Sequence, residues 1–122
     1  MERGQFITHN GKEIYFIDYS NLKFEKDFLE AIHSTNEFRE RVMASGKKDL
    51  LMLVDFTNSF VYGNAFSEIK RSGKLTQSIT KRTAVIGITG AKKALLDIMN
   101  TITTLNVKPF DSLDDAMNWL IK

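Results

Sequence analysis

The residues best placed to do chemistry are few. Asp55 follows the apolar run Leu50-Leu51-Met52-Leu53-Val54, with Thr57 and Asn58 just beyond it. A carboxylate at the C-terminal end of a buried strand suits a general base or a ligand contact. It also suits a turn, accepting backbone N–H groups of Thr57 or Asn58. Buried charges persist only when paired or hydrogen-bonded, which favours the turn. Asp18 ends an earlier apolar run in the same way and is read alike. A second candidate is Thr89-Gly90-Ala91-Lys92-Lys93, a strand-to-helix junction. Free N–H groups there, with Lys92 and Lys93, suit a phosphate or carboxylate. The glycine spacing of a phosphate-binding loop is missing, so Thr89 and Gly90 read first as a cap and turn.

Other chemistry is excluded more firmly. The chain has no G-x-S-x-G, no H-E-x-x-H, no G-x-x-x-x-G-K-[ST] and no cysteine. His9 and His33 lack a neighbour at metal-ligand spacing, so no metal site and no cofactor are expected. Without cysteine there is neither a disulfide nor a thiolate site.

Charge marks another region. Seventeen Lys and Arg stand against fifteen Asp and Glu, a net charge of +2. Yet Lys70, Arg71, Lys74, Lys81, Arg82, Lys92 and Lys93 run without an intervening acid. The stretch contains no aromatic residue, so the stacking platform of a single-strand nucleic-acid binder is absent and no nucleic acid is expected. Beside it lies Phe60-Val61-Tyr62, a loop with three bulky apolar residues. Phe60, Val61 and Tyr62 with Lys70, Arg71 and Lys74 make an apolar tip and a positive rim, suited to a protein partner or an anionic membrane surface. Phe60 and Tyr62 tucked under the next helix, with solvated lysines, is the plainer alternative.

The elements that position these residues follow from periodicity. Leu50–Val54 is apolar at every position, so both faces must be covered, as in parallel strands of α/β domains. It is read as the central strand. Gln5–Thr8 and Glu13–Tyr19 are strands around Asn10-Gly11, a hairpin signal because both residues tolerate positive φ. Phe24, Phe28, Ala31, Ile32, Thr35, Phe38, Val42 and Met43 form one stripe of a helix from Phe24 to about Ala44, which Gly46 stops. Asn64 is placed to cap a second helix, which Gly73 weakens. Thr83–Ile88 is a strand, Ala91 to about Thr104 a helix, and Val107–Phe110 an edge strand on account of Pro109. Ser112 opens a last helix, to Ile121. The order is β-β-α-β-α-β-α-β-α over 122 residues, one α/β domain with a five-stranded mixed sheet. No segment approaches the roughly 20 apolar residues of a membrane span, and Met1–Gln5 is polar, so a cytoplasmic protein is expected.

This order resembles the SpoIIAA-like (STAS-like) family, in particular its small bacterial STAS/CRAL-TRIO-like branch. The resemblance rests on Asp55-Phe56-Thr57-Asn58 and on Val85-Ile86-Gly87-Ile88-Thr89-Gly90-Ala91-Lys92-Lys93. Ile17-Asp18-Tyr19-Ser20-Asn21-Leu22 and Phe110-Asp111-Ser112-Leu113-Asp114-Asp115-Ala116 extend it, from about Asn10 to Leu120. It implies a hairpin leading into successive right-handed β-α turns, and a module that docks a protein partner. The family's phosphorylatable serine belongs at the start of the helix after the central strand. Phe60-Val61-Tyr62-Gly63-Asn64-Ala65 stands there, so the phospho-switch does not carry over. Lipid-binding relatives enclose a large apolar cavity, for which 122 residues leave little room.

The expected function is therefore a non-enzymatic binding or regulatory module. The alternatives are a lipid or anionic-membrane binder, or a small enzyme using Asp55 and Thr89–Lys93 on a phosphorylated ligand. Right-handed crossovers put the intervening helices on one side of a sheet in sequence order. The opposite face is then bare, and a homodimer is predicted to cover it.

Overall fold

In a computed structural model of the chain, residues 3–61, 63–88 and 107–122 are described. The sheet runs β1 (Gly4–His9), β2 (Lys12–Asp18), β3 (Leu50–Asp55), β4 (Thr80–Ile86) and β5 (Val107–Phe110), side by side in that order. β1 is antiparallel to β2 and every other pair is parallel. Asn10 and Gly11, at φ of 50° and 80°, close the first hairpin as their residue types predict. The apolar run Leu50–Val54 is indeed in the central strand. β5, with Pro109, is an edge.

Helices α1 (Glu25–Ala44) and α2 (Gly63–Thr76) pack on one face of the sheet. Tyr15, Ile17, Met52 and Val85 rise from the strands on that side to meet Phe28, Ile32, Val42 and Ala65. Two expectations about these helices shift. Phe24 is 69% exposed, because it is the extended N-cap residue of α1 and lies off the helical phase of the stripe. α2 opens at Gly63, so Asn64 sits inside its first turn, and the helix continues past Gly73 as one element. The Ala91–Thr104 helix lies outside the described residues.

The other face is not bare. A C-terminal helix, α3 (Leu113–Leu120), lies across it, with Ala116 and Leu120 on Ile14, Leu53, Ala84 and Ile86. Ile14, Leu53 and Ala84 reach 0% exposure within one chain. The crossover rule constrains helices between parallel strands, and α3 follows the last strand, so it is free to take either face. Its N-cap is Ser112, whose hydroxyl accepts the Asp115 N–H at 3.1 Å. Arg82 donates to the Trp119 carbonyl at 2.9 Å and Lys12 to that of Ile121 at 3.0 Å, holding its far end. The bare face that motivated a dimer is thus filled by the chain itself.

Candidate functional site

Parallel pairing sets Asp18 opposite Asp55 at the C-terminal ends of β2 and β3. Each closes its own turn. Asp55 Oδ1 accepts the Thr57 N–H at 2.8 Å, and Asp18 Oδ1 accepts the Ser20 N–H at 2.9 Å and the Ser20 hydroxyl at 2.6 Å. Arg3 donates to the Asp18 carbonyl at 3.0 Å. The two following loops are then laced together. Asn21 N–H donates to the Thr57 carbonyl at 2.9 Å, and Asn58 Nδ2 to Asn21 Oδ1 at 2.9 Å. Beneath them Ser59, 1% exposed, donates to the Tyr19 carbonyl and accepts the Leu22 N–H at 2.8 Å. Gly87 backs onto this lacing at φ +80°, where a Cβ would run into the Thr57 nitrogen and Cα. Asp55, Thr57 and Asn58 therefore hold one another and the neighbouring loop.

The remaining candidates divide. Thr89, Gly90, Lys92 and Lys93 lie outside the described residues, as does Tyr62. Phe60 is 55% exposed and donates its backbone N–H to the Leu22 carbonyl at 2.9 Å. Val61 turns inward against the core. Lys70, Arg71 and Lys74 lie on α2, about 10–17 Å further along its axis than the loop, so tip and rim are separated. Lys70 stands 5.5 Å from the Phe66 ring and Arg71 pairs with Glu68 at 3.4 Å. His9 meets Asn118 at 2.8 Å at the surface, and His33 is exposed on α1. Among the described residues no group of three His, Cys, Asp or Glu could hold a metal, and no helix is long and apolar enough to cross a membrane.

A site that sequence reasoning passed over lies between the sheet and helices α1 and α2. It is a cavity of about 90 Å³. Tyr15, Met52, Thr83 and Val107 cross its floor as a row of neighbouring strand positions. Ile69, Ser72 and Gly73 of α2 and Thr35 and Arg39 of α1 form its roof. Arg39 is the one charged side chain among the described lining residues, and it is only 5% exposed. Its Nη1 donates to Asn36 Oδ1 at 2.9 Å and to Ser72 Oγ at 3.1 Å. Its Nη2 reaches Glu40 at 3.2 Å, but the Glu40 side chain is 68% exposed. Nε has no hydrogen-bond partner among the described residues, nor has Thr83 Oγ1. The signal in the sequence was spacing. Arg39 stands four residues after Thr35 and three before Val42, on the buried stripe of α1.

Two tyrosines face the same space. Burial raises the Tyr15 hydroxyl well above its ordinary range, with Tyr19 adding to the rise and Arg39 opposing it. Burial likewise pushes Tyr19 up to about 12, opposed by its bond to Thr35 and by the Arg39 and Arg3 charges. Thr35 donates to the Ile32 carbonyl at 2.8 Å, so the proton in its 2.8 Å bond with Tyr19 comes from the tyrosine. Both phenols are neutral at physiological pH, and among the described residues the wall carries a cation without an acid.

No family model matches the chain, and no curated protein sequence matches it. A solved structure does. It is an uncharacterised protein of the DUF3478 family from Shewanella loihica PV-4, with a SpoIIAA-like fold. The TM-score is 0.76 over 96% of this chain and 91% of that one, at 18% identity. The fold is SpoIIAA-like. At that identity the likeness carries architecture alone, which agrees with the mixed sheet expected from the strand pattern.

Proposed function

We propose that this SpoIIAA-like chain is a binding module that takes a small, largely apolar molecule into the cavity under α1 and α2. The observation that carries the reading is the cavity itself: a largely apolar wall with a few convergent polar groups, the usual form of a small-molecule site. The sequence had argued against room for a lipid cavity, and the 90 Å³ volume keeps the ligand small. A non-enzymatic role is supported by the C-terminal edge, where Asp55 is spent on a turn. The test is a methyl-resolved NMR titration with butan-1-ol. Shifts concentrated at Ile69, Val85 and Ile88, which line the cavity, are expected. Shifts confined to surface methyls such as Leu113, which is 43% exposed, would end the reading.

Docking of a protein partner is the second reading, and a specific feature favours it. Phe24 and Phe60 are 69% and 55% exposed, and the backbone bond from Phe60 to Leu22 brings their two segments together. Large exposed aromatics are the usual anchors of protein contacts. Capture of a specific partner from the native cell by the wild-type chain, and its loss with Phe60→Asp, is the expected result. Equal capture by both chains rejects the Phe60 surface.

A further inference from the structure

Arg39, the one cation among the described lining residues, is oddly placed for a structural role. A guanidinium has five N–H donors in a planar fork. Three partners occupy part of the fork of Arg39, namely Asn36, Ser72 and Glu40. Only Glu40 is an acid, and it lies out in water, where solvent screens it. A buried cation normally has a buried counter-charge. Here the described lining residues include none, while the guanidinium borders the cavity with Nε unpartnered. Thr83 Oγ1, 3% exposed, lines the same space with its hydroxyl unpaired. Two unsatisfied polar groups bordering one apolar cavity describe a site that lacks its ligand's head.

We infer that the cavity takes a small monocarboxylate, its carboxylate on Arg39 and Thr83 and its apolar body against Met52, Ile69 and Val85. The inference rests on the binding role proposed above and adds the ligand's chemical class. Guanidinium and carboxylate match as a charge-assisted fork, the pairing for which Arg is best suited. The hydroxyl of Thr83 gives the second oxygen a donor. The desolvation of the cation is already met by folding, so an entering anion adds only its own. Inorganic anions fit poorly, because the rest of the wall would leave their oxygens unsolvated. Size limits the body. An apolar cavity of about 150 Å³ admits the six carbons of benzene, so 90 Å³ admits a body of about three to four carbons.

The experiment compares head groups on a constant body. Propanoate and butanoate, and the alcohols propan-1-ol and butan-1-ol, are titrated by NMR into the full chain at neutral pH. Each carboxylate is expected to bind at least tenfold more tightly than its alcohol. Arg39→Met keeps the side chain's bulk and should erase the preference while leaving alcohol binding in place. Arg39→Lys keeps the charge without the fork and should reduce the preference only in part. The comparison in the wild-type chain stands even if a variant fails to fold. Alcohols binding as tightly as carboxylates would overturn the head-group assignment and leave the apolar-ligand reading intact. A carboxylate preference unchanged in both Arg39 variants would overturn the role of Arg39. Binding of neither class would overturn this inference together with the reading on which it rests.

Discussion

The loops after β2 and β3 and the cavity wall under α1 both bring polar groups into an apolar interior, and they treat them in opposite ways. In the loops each polar group of the lacing meets another. Asp18 and Asp55 accept N–H groups two residues on, and Ser59 is both donor and acceptor. In the wall, Arg39 Nε and Thr83 Oγ1 are left over. A satisfied network rigidifies, whereas an unsatisfied buried group costs free energy until something pairs with it. The difference separates framework from site. In the sequence Asp55 was the most suggestive single residue, read first as a turn, and the turn is what it forms, whereas Arg39 drew no notice.

The largest expected effect falls on the framework. Gly87→Ala puts a methyl group against the Thr57 backbone at a φ of +80°. The left-handed conformation alone costs roughly 1–2 kcal/mol for an L-residue. With the clash added, a loss of at least about 3 kcal/mol is expected by urea unfolding. A loss under 1 kcal/mol would mean that the lacing is loose, and the contrast with the cavity wall would fail.

Alkaline titration probes the wall. Tyr19, 6% exposed, is held near pKa 12 against an ordinary 10. The folded chain keeps a proton that the unfolded chain releases, so its contribution is fully present below pH 10. It is lost as pH rises from 10 towards 12. A two-unit rise corresponds to about 3 kcal/mol, and Tyr15, raised for the same first cause, steepens the fall. Tyr19→Phe should flatten the stability profile over that window. An unchanged slope would place the titration elsewhere.

Ser59→Ala returns to the framework. It strands the Leu22 N–H and removes the donor to the Tyr19 carbonyl. A cost of about 2 kcal/mol is expected at a site that is only 1% exposed. Thermal unfolding at several pH values separates this effect from that of Tyr19, since a serine does not titrate. A change near zero would show water replacing the hydroxyl and an edge more open than its bonds suggest.

What the sequence revealed and what it hid follow from the same physics. Leu50–Val54 announced a central strand because apolarity at every position has one structural meaning. Asn10-Gly11 announced a hairpin because two positive φ values in succession suit few residue pairs. Both are local signals. The place of α3 depended on a chain end that no crossover rule governs. The role of Arg39 was hidden differently. Its helical phase was legible from Thr35 and Val42, but charge weighs against burial in any hydrophobic pattern, so the stripe was drawn through Phe38 instead. Phe38 sits at the margin, 5.0 Å from the Tyr15 ring, while Arg39 occupies the centre. A charged residue in phase with a buried stripe is the signal to keep.

The smallest expected effect has the opposite sign to the others. Thr83→Val replaces the unpaired hydroxyl with a methyl group of similar shape, at a strand position facing the cavity. No hydrogen bond is lost, and a buried donor without a partner is removed. Valine also suits a strand at least as well as threonine. A gain of about 1 kcal/mol in unfolding free energy is expected without ligand. The same variant should bind butanoate less tightly, because the carboxylate loses a donor. Stability and affinity would then move in opposite directions at one atom, as they do where a polar group is kept for a ligand rather than for the fold. A loss of stability in Thr83→Val would mean that the hydroxyl is already paired, and the cavity wall would then belong with Ser59 and Asp55 among the satisfied parts of the molecule.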